Sequence, residues 1–147
     1  MRPVSFTYSA SIPASIERVF DLISDPLRMP TWLPRCVDVK ATTNDRVGKG
    51  ARYKVTFQRE TTRQESVIEI IDYSPPHTFG WVEIYDRAGS KTFFGLGFAG
   101  GSTKVSLKHI WNPSGFGSWL RGQFYRRRNA HRMFEALINN LRRAVTR

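Results

Sequence analysis

Residues 12–26 read Ile12-Pro-Ala-Ser-Ile-Glu-Arg-Val-Phe-Asp-Leu-Ile-Ser-Asp-Pro26, and within them the hydrophobic period changes. Upstream, Val4 to Ser11 alternates Phe6, Tyr8 and Ala10 with Ser and Thr, the period-two pattern of a strand with one wetter face. From Ile16 onward, Ile16, Val19, Phe20 and Ile23 recur at helical spacing, and Pro13 sits where a first turn tolerates it. Ser24-Asp25-Pro26 ends that helix, because a residue before proline resists the helical well. Leu27 to Leu33 accommodates a second short helical turn, closed by Pro34.

Downstream the period returns to two. Cys36 to Thr42, Tyr53 to Gln58, Ser66 to Tyr73, Phe79 to Tyr85, Thr92 to Phe98 and Thr103 to Trp111 all read as strands. They are punctuated by Val47-Gly-Lys-Gly50, Ser74-Pro-Pro76 and Ala99-Gly-Gly-Ser102. Consecutive strands on short turns predict an antiparallel meander. From about Gly117 the pattern is helical to the end. A wheel of ~3.6 residues per turn gathers Phe116, Leu120, Ala130, Met133, Phe134, Leu137, Ile138, Leu141 and Val145 on one side. The predicted order is β-αα-β6-α, an α+β class, in one domain spanning 1–147.

Composition excludes several alternatives. A chain of 147 residues buries roughly 68–70% of its unfolded surface and needs no staple. The single cysteine, Cys36, has no internal disulfide partner, and its commoner role is a small buried hydrophobe. A hydrophobic content of 40% is too high for disorder. Neither a signal peptide nor a run of ~18 apolar residues is present, so the expected location is the cytoplasm.

The order of these segments resembles the START-like superfamily of helix-grip (Bet v 1-like) proteins. Within it, the resemblance is to the polyketide cyclase/dehydrase and lipid-transport group, the SRPBCC proteins. Residues 12–26 are similar to the family's opening signature. Met29-Pro-Thr-Trp-Leu-Pro34 is similar to its Pro-x-Trp-x-Pro stretch, and Val47-Gly-Lys-Gly-Ala-Arg-Tyr53 to its glycine turn. Tyr73-Ser-Pro-Pro76, Gly101-Ser-Thr-Lys-Val105 and Ala136-Leu-Ile-Asn-Asn-Leu141 complete the series. The resemblance implies a curved antiparallel sheet wrapped around the terminal helix, with a cavity between them for an apolar or amphipathic ligand.

Expected chemistry is sparse. His77, His109 and His131 lack metal-ligand spacing, so no metal is expected. Gly95-Leu-Gly-Phe-Ala-Gly100 mimics a dinucleotide fingerprint by letter only, since it opens no helix, and no cofactor is expected. The implied cavity would have walls from Trp81, Tyr85, Phe94, Phe98, Trp111 and Phe124. Glu83, His109, Arg127 and His131 would orient the ligand. Arg59 shares an inward parity with Phe57, and inside the cavity it would pair with Glu83. The first reading is noncatalytic binding or transport of a lipid, quinone or polyketide-like molecule. One alternative is a cyclase/aromatase-type enzyme, for which Glu83 and His109 are the acid/base candidates, and another is a membrane- or RNA-associated interaction module that uses the basic terminal helix.

The formal net charge is +11. Eight Arg and a single Glu fall after residue 112, so most of the excess belongs to the terminal helix. Arg121, Arg128, Arg132, Arg143 and Arg147 fall opposite its apolar side and would face an anionic membrane. Arg-rich composition also fits a high-GC bacterial genome. No nucleic-acid-reading motif is present, so RNA or DNA is not the expected partner.

Overall fold

The structure is a computed structural model. It describes residues 3–43, 48–85, 89–112 and 116–146, without the side chains of Arg59 and of residues 116–128. Seven strands form one antiparallel sheet: β1 (Val4–Ile12), β2 (Cys36–Ala41), β3 (Arg52–Arg59), β4 (Thr62–Ser74), β5 (Thr78–Ile84), β6 (Lys91–Ala99) and β7 (Ser102–Trp111). Their order is β1-β7-β6-β5-β4-β3-β2. The meander runs from β2 to β7, and β1 closes against β7. β1 and β2 therefore lie on opposite edges although they are close in sequence. The chain crosses between them through α1 (Ile16–Ile23) and a short 3-10 helix (Pro26–Thr31). The terminal helix α2 (Phe116–Val145) packs against β1, α1 and the 3-10 helix.

The crossing follows from local chemistry. Ser15 caps α1 by accepting from the Arg18 amide at 3.3 Å, and Asp25 caps the 3-10 helix by accepting from Leu27 at 3.2 Å. Such side-chain acceptors satisfy amides that a helix start leaves unpaired. On α1, Ile16, Val19, Phe20, Leu22 and Ile23 are buried. They join Trp32, Val55, Ile70, Phe79, Phe94, Val105 and the α2 residues Phe134, Leu137, Ile138, Leu141 and Val145 in the main core. Met133, placed on that stripe by the wheel, is 40% exposed.

Three polar contacts lock the layers. The Arg18 guanidinium donates to the Val145 carbonyl at 2.5 Å, which satisfies an acceptor orphaned at the end of α2. Asn140 donates to the Trp32 carbonyl at 3.2 Å. Thr103 donates to the Ala14 carbonyl at 2.7 Å. Among the described residues, no helix is long and apolar enough to cross a membrane.

Candidate functional site

The concave face of the sheet is built by alternation. Cross-strand pairing places Phe6 opposite His109, His109 opposite Thr92, Thr92 opposite Trp81 and Trp81 opposite Ile70. One continuous row therefore runs across five strands. Trp81, Phe94 and Trp111 are buried, and Glu83 and His109 are half-buried.

The aromatic rings of this face fall into two groups. Trp81 lies 5.8 Å from Phe94 and 5.9 Å from Phe79, and Trp32 meets Phe94 edge-on at 5.7 Å. The second group is a chain. His109 lies 5.7 Å from Trp111, Trp111 lies 5.0 Å from Phe6, Phe6 lies 6.2 Å from Tyr8, and Tyr8 lies 5.6 Å from His131. These separations are those of favourable ring pairs. Val4, Phe6 and Trp111 form a core cluster of their own, apart from the main one.

Polar atoms lie at the His109 end of the second group. Thr92 Oγ1 and His109 Nδ1 are 3.0 Å apart, and Thr92 is only 8% exposed. That bond fixes the imidazole plane against the apolar wall. Glu83 lies on β5, and its amide donates to the Ser90 carbonyl at 2.8 Å. With β6 between them, the β5 and β7 backbones stand about 10 Å apart. Trp32 is fully buried, and its indole N–H has no hydrogen-bond acceptor among the described residues.

The other expected residues are placed differently. Tyr85 is 86% exposed, because β5 stops at Ile84 and Tyr85 takes φ +65°. Arg52 donates to its hydroxyl at 3.5 Å, and Arg52 also bridges to Glu69 at 2.8 Å. Tyr85 thus leaves the wall that its parity with Trp81 implied. Phe98 keeps the parity of Phe94 and Leu96 but is 76% exposed at the β6–β7 hairpin. His131 pairs with Glu135 at 3.0 Å while its ring meets Tyr8 at a tilt of 43°. Phe124, Arg127, Arg121, Arg128 and Arg59 have side chains outside the described residues, as does Arg147. Arg132 and Arg143 are exposed. No three His, Cys, Asp or Glu side chains converge among the described residues.

The residues that the sequence reading missed fall in two places. Thr92, Phe6 and Tyr8 belong to the wall, and the strand alternation that selected His109 could have found them. The second place is a half-open cleft of about 460 Å³ where α1, the 3-10 helix and the sheet meet. Asp21, Asp25, Leu27, Gly48, Tyr53 and Tyr73 line it. These come from segments distant in sequence, and no local signal joins them.

Comparison with known proteins gives the same architecture. The chain is similar in structure to an aromatase/cyclase, Zhui, from Streptomyces sp. R1128, with a TM-score of 0.80 and 12% identity over 99% of this chain and 95% of that one. It is similar to a Staphylococcus aureus protein of unknown function, SA2116, with a TM-score of 0.80 and 8% identity over 99% and 94% of the two chains. It is also similar to Ara h 8.0201, with a TM-score of 0.69 and 12% identity over 95% and 98%. At these identities the likeness shows the helix-grip fold alone. No match is found among curated proteins. A family model described as polyketide cyclase/dehydrase and lipid transport matches residues 3–146. With that match over nearly the whole chain, and the sheet and terminal helix arranged as the fold requires, the protein belongs to the polyketide cyclase/dehydrase and lipid transport family.

Proposed function

We propose that this protein binds an apolar or amphipathic small molecule, of lipid, quinone or polyketide-like type, without transforming it. The ligand would lie between the concave sheet and the N-terminal half of α2. The observation that carries this reading is the Thr92–His109 pair, held at 3.0 Å beside the buried Trp81–Phe94 and Phe6–Trp111 ring pairs. An apolar wall with a few fixed polar groups is the usual make-up of a small-molecule site. His109 and Glu83 would hold the ligand's polar end, and Trp81, Phe94 and Trp111 its apolar body. Phe124 and Arg127 on α2, with His131, would complete the orientation. The half-burial of Glu83 and His109 suits anchoring of a polar headgroup that stays near water.

Titration with a naphthoquinone, an efficient tryptophan quencher, tests this. Saturable one-to-one quenching is expected, and His109→Phe should weaken it about tenfold by removing one ligand hydrogen bond. Affinity unchanged in both His109→Phe and Glu83→Gln would exclude these residues as anchors.

A further inference from the structure

The cleft at the other end of the sheet has a different chemistry. Among the described residues, its only charged lining residues are Asp21 and Asp25, although the chain as a whole carries +11. Tyr53, Tyr73 and Phe79 supply ring surface, and Phe20 braces Tyr73 edge-on at 5.7 Å. Gly48 closes one side so tightly that a Cβ there would stand 3.3 Å from the Tyr73 ring. Tyr53 is 8% exposed, yet its hydroxyl has no hydrogen-bond partner among the described residues. Burial, then the nearby Asp25 carboxylate and Tyr73, push its pKa up. The hydroxyl is thus held neutral, beside a carboxylate, in a cavity wall. Tyr53 lines the half-open cleft, so its hydroxyl is placed to exchange a hydrogen bond with a ligand atom there.

We propose that this cleft is a second binding site, distinct from the site proposed between sheet and α2, and that it takes a small organic cation with an apolar body. The ammonium would sit between the Asp21 and Asp25 carboxylates and the face of Tyr73. Aromatic faces attract cations, most strongly where water is reduced. The Tyr53 hydroxyl would accept from a protonated amine or donate to a polar atom on the ligand body. An anionic ligand is disfavoured by two carboxylates with no lining cation among the described residues. A volume of about 460 Å³ lies within the range of small-molecule sites.

Three matched probes test the assignment: benzyltrimethylammonium, benzyl alcohol and phenylacetate. The readout is the amide shifts of Leu27 and Gly48 in a nitrogen–proton correlation spectrum. The cation should shift both saturably and bind more tightly than the other two. Asp25→Asn keeps an acceptor for the Leu27 amide, so the cap survives, and it should weaken the cation about tenfold. Tyr53→Phe should weaken an alkylammonium probe such as benzylamine more than benzyltrimethylammonium, which has no N–H to donate. Equal or tighter binding of phenylacetate or benzyl alcohol would overturn the proposal, as would no shift at these amides. Unchanged cation affinity in Asp25→Asn would also overturn it. Naphthoquinone quenching should be the same in Asp25→Asn as in the parent, so failure here is distinguishable from failure of the sheet–helix site.

Discussion

Thr103 has no exposed surface, and the carbonyl that accepts its hydroxyl proton, on Ala14, belongs to the turn that launches the helical crossing. Thr103→Val leaves that acceptor without its partner and should cost about 1–3 kcal/mol in urea denaturation, while Thr103→Ser should recover much of it. Phe98 is the opposite case. Its parity marks it as a wall residue, but at 76% exposure Phe98→Ser should change stability by less than ~0.5 kcal/mol. Cys36 is 6% exposed, and burial raises its thiol pKa from 9.0 to about 11. The folded state therefore keeps its proton where the unfolded state gives it up. Stability should be insensitive to this group below pH 9 and fall between pH 9 and 11. Alkylation at pH 8 should be slow in the folded protein and fast in denaturant, as peptide mass spectrometry would read. The burial of Cys36 was legible from its composition and strand position. The exposure of Tyr85 and Phe98 was not, because alternation states which face a residue takes and not where the covering layer ends.

At the scale of elements, the two glycines Gly80 and Gly97 separate packing from backbone freedom. A Cβ on Gly80 would lie 2.6 Å from the Phe93 ring and 3.0 Å from the Thr92 carbonyl oxygen. On Gly97 it would meet nothing within 4 Å. Gly80→Ala should therefore destabilise by about 1–3 kcal/mol through overpacking. Gly97→Ala should be neutral or stabilising by up to ~1 kcal/mol, through a less disordered unfolded chain. Leu141→Ala, in the fully buried part of α2, should cost about 2–5 kcal/mol. Thermal melts of the three variants would order them. The strands and both ends of the crossing could be read from period changes, since each element's apolar spacing is local. The irregularity between Ile70 and Asp72 could not. It lets both Ile70 and Tyr73 line the cleft, against strict alternation, with Ile70 buried and Tyr73 36% exposed. Such bulges depend on the partner strand rather than on the strand's own sequence.

Over the whole molecule, the +11 charge divides by place. Arg18 and Arg142 are engaged, the first with the Val145 carbonyl and the second with the Ser11 carbonyl. Arg132 and Arg143 stand exposed on α2. If the basic helix docks on a membrane, binding to anionic vesicles should weaken steeply with salt, and neutral vesicles should not bind. Vesicle cosedimentation at two salt concentrations checks this, and equal binding to neutral vesicles would count against it. The central claim is that an apolar ligand binds between the sheet and α2. It is tested most directly by mass spectrometry of the protein purified without detergent, recorded under native and then denaturing conditions. The expected result is one equivalent of an apolar molecule, present in the native spectrum and released on denaturation. Once stripped, the protein should take up an apolar fluorescent probe saturably. A bare chain mass in the native spectrum, with no saturable probe uptake by the same sample, would contradict it.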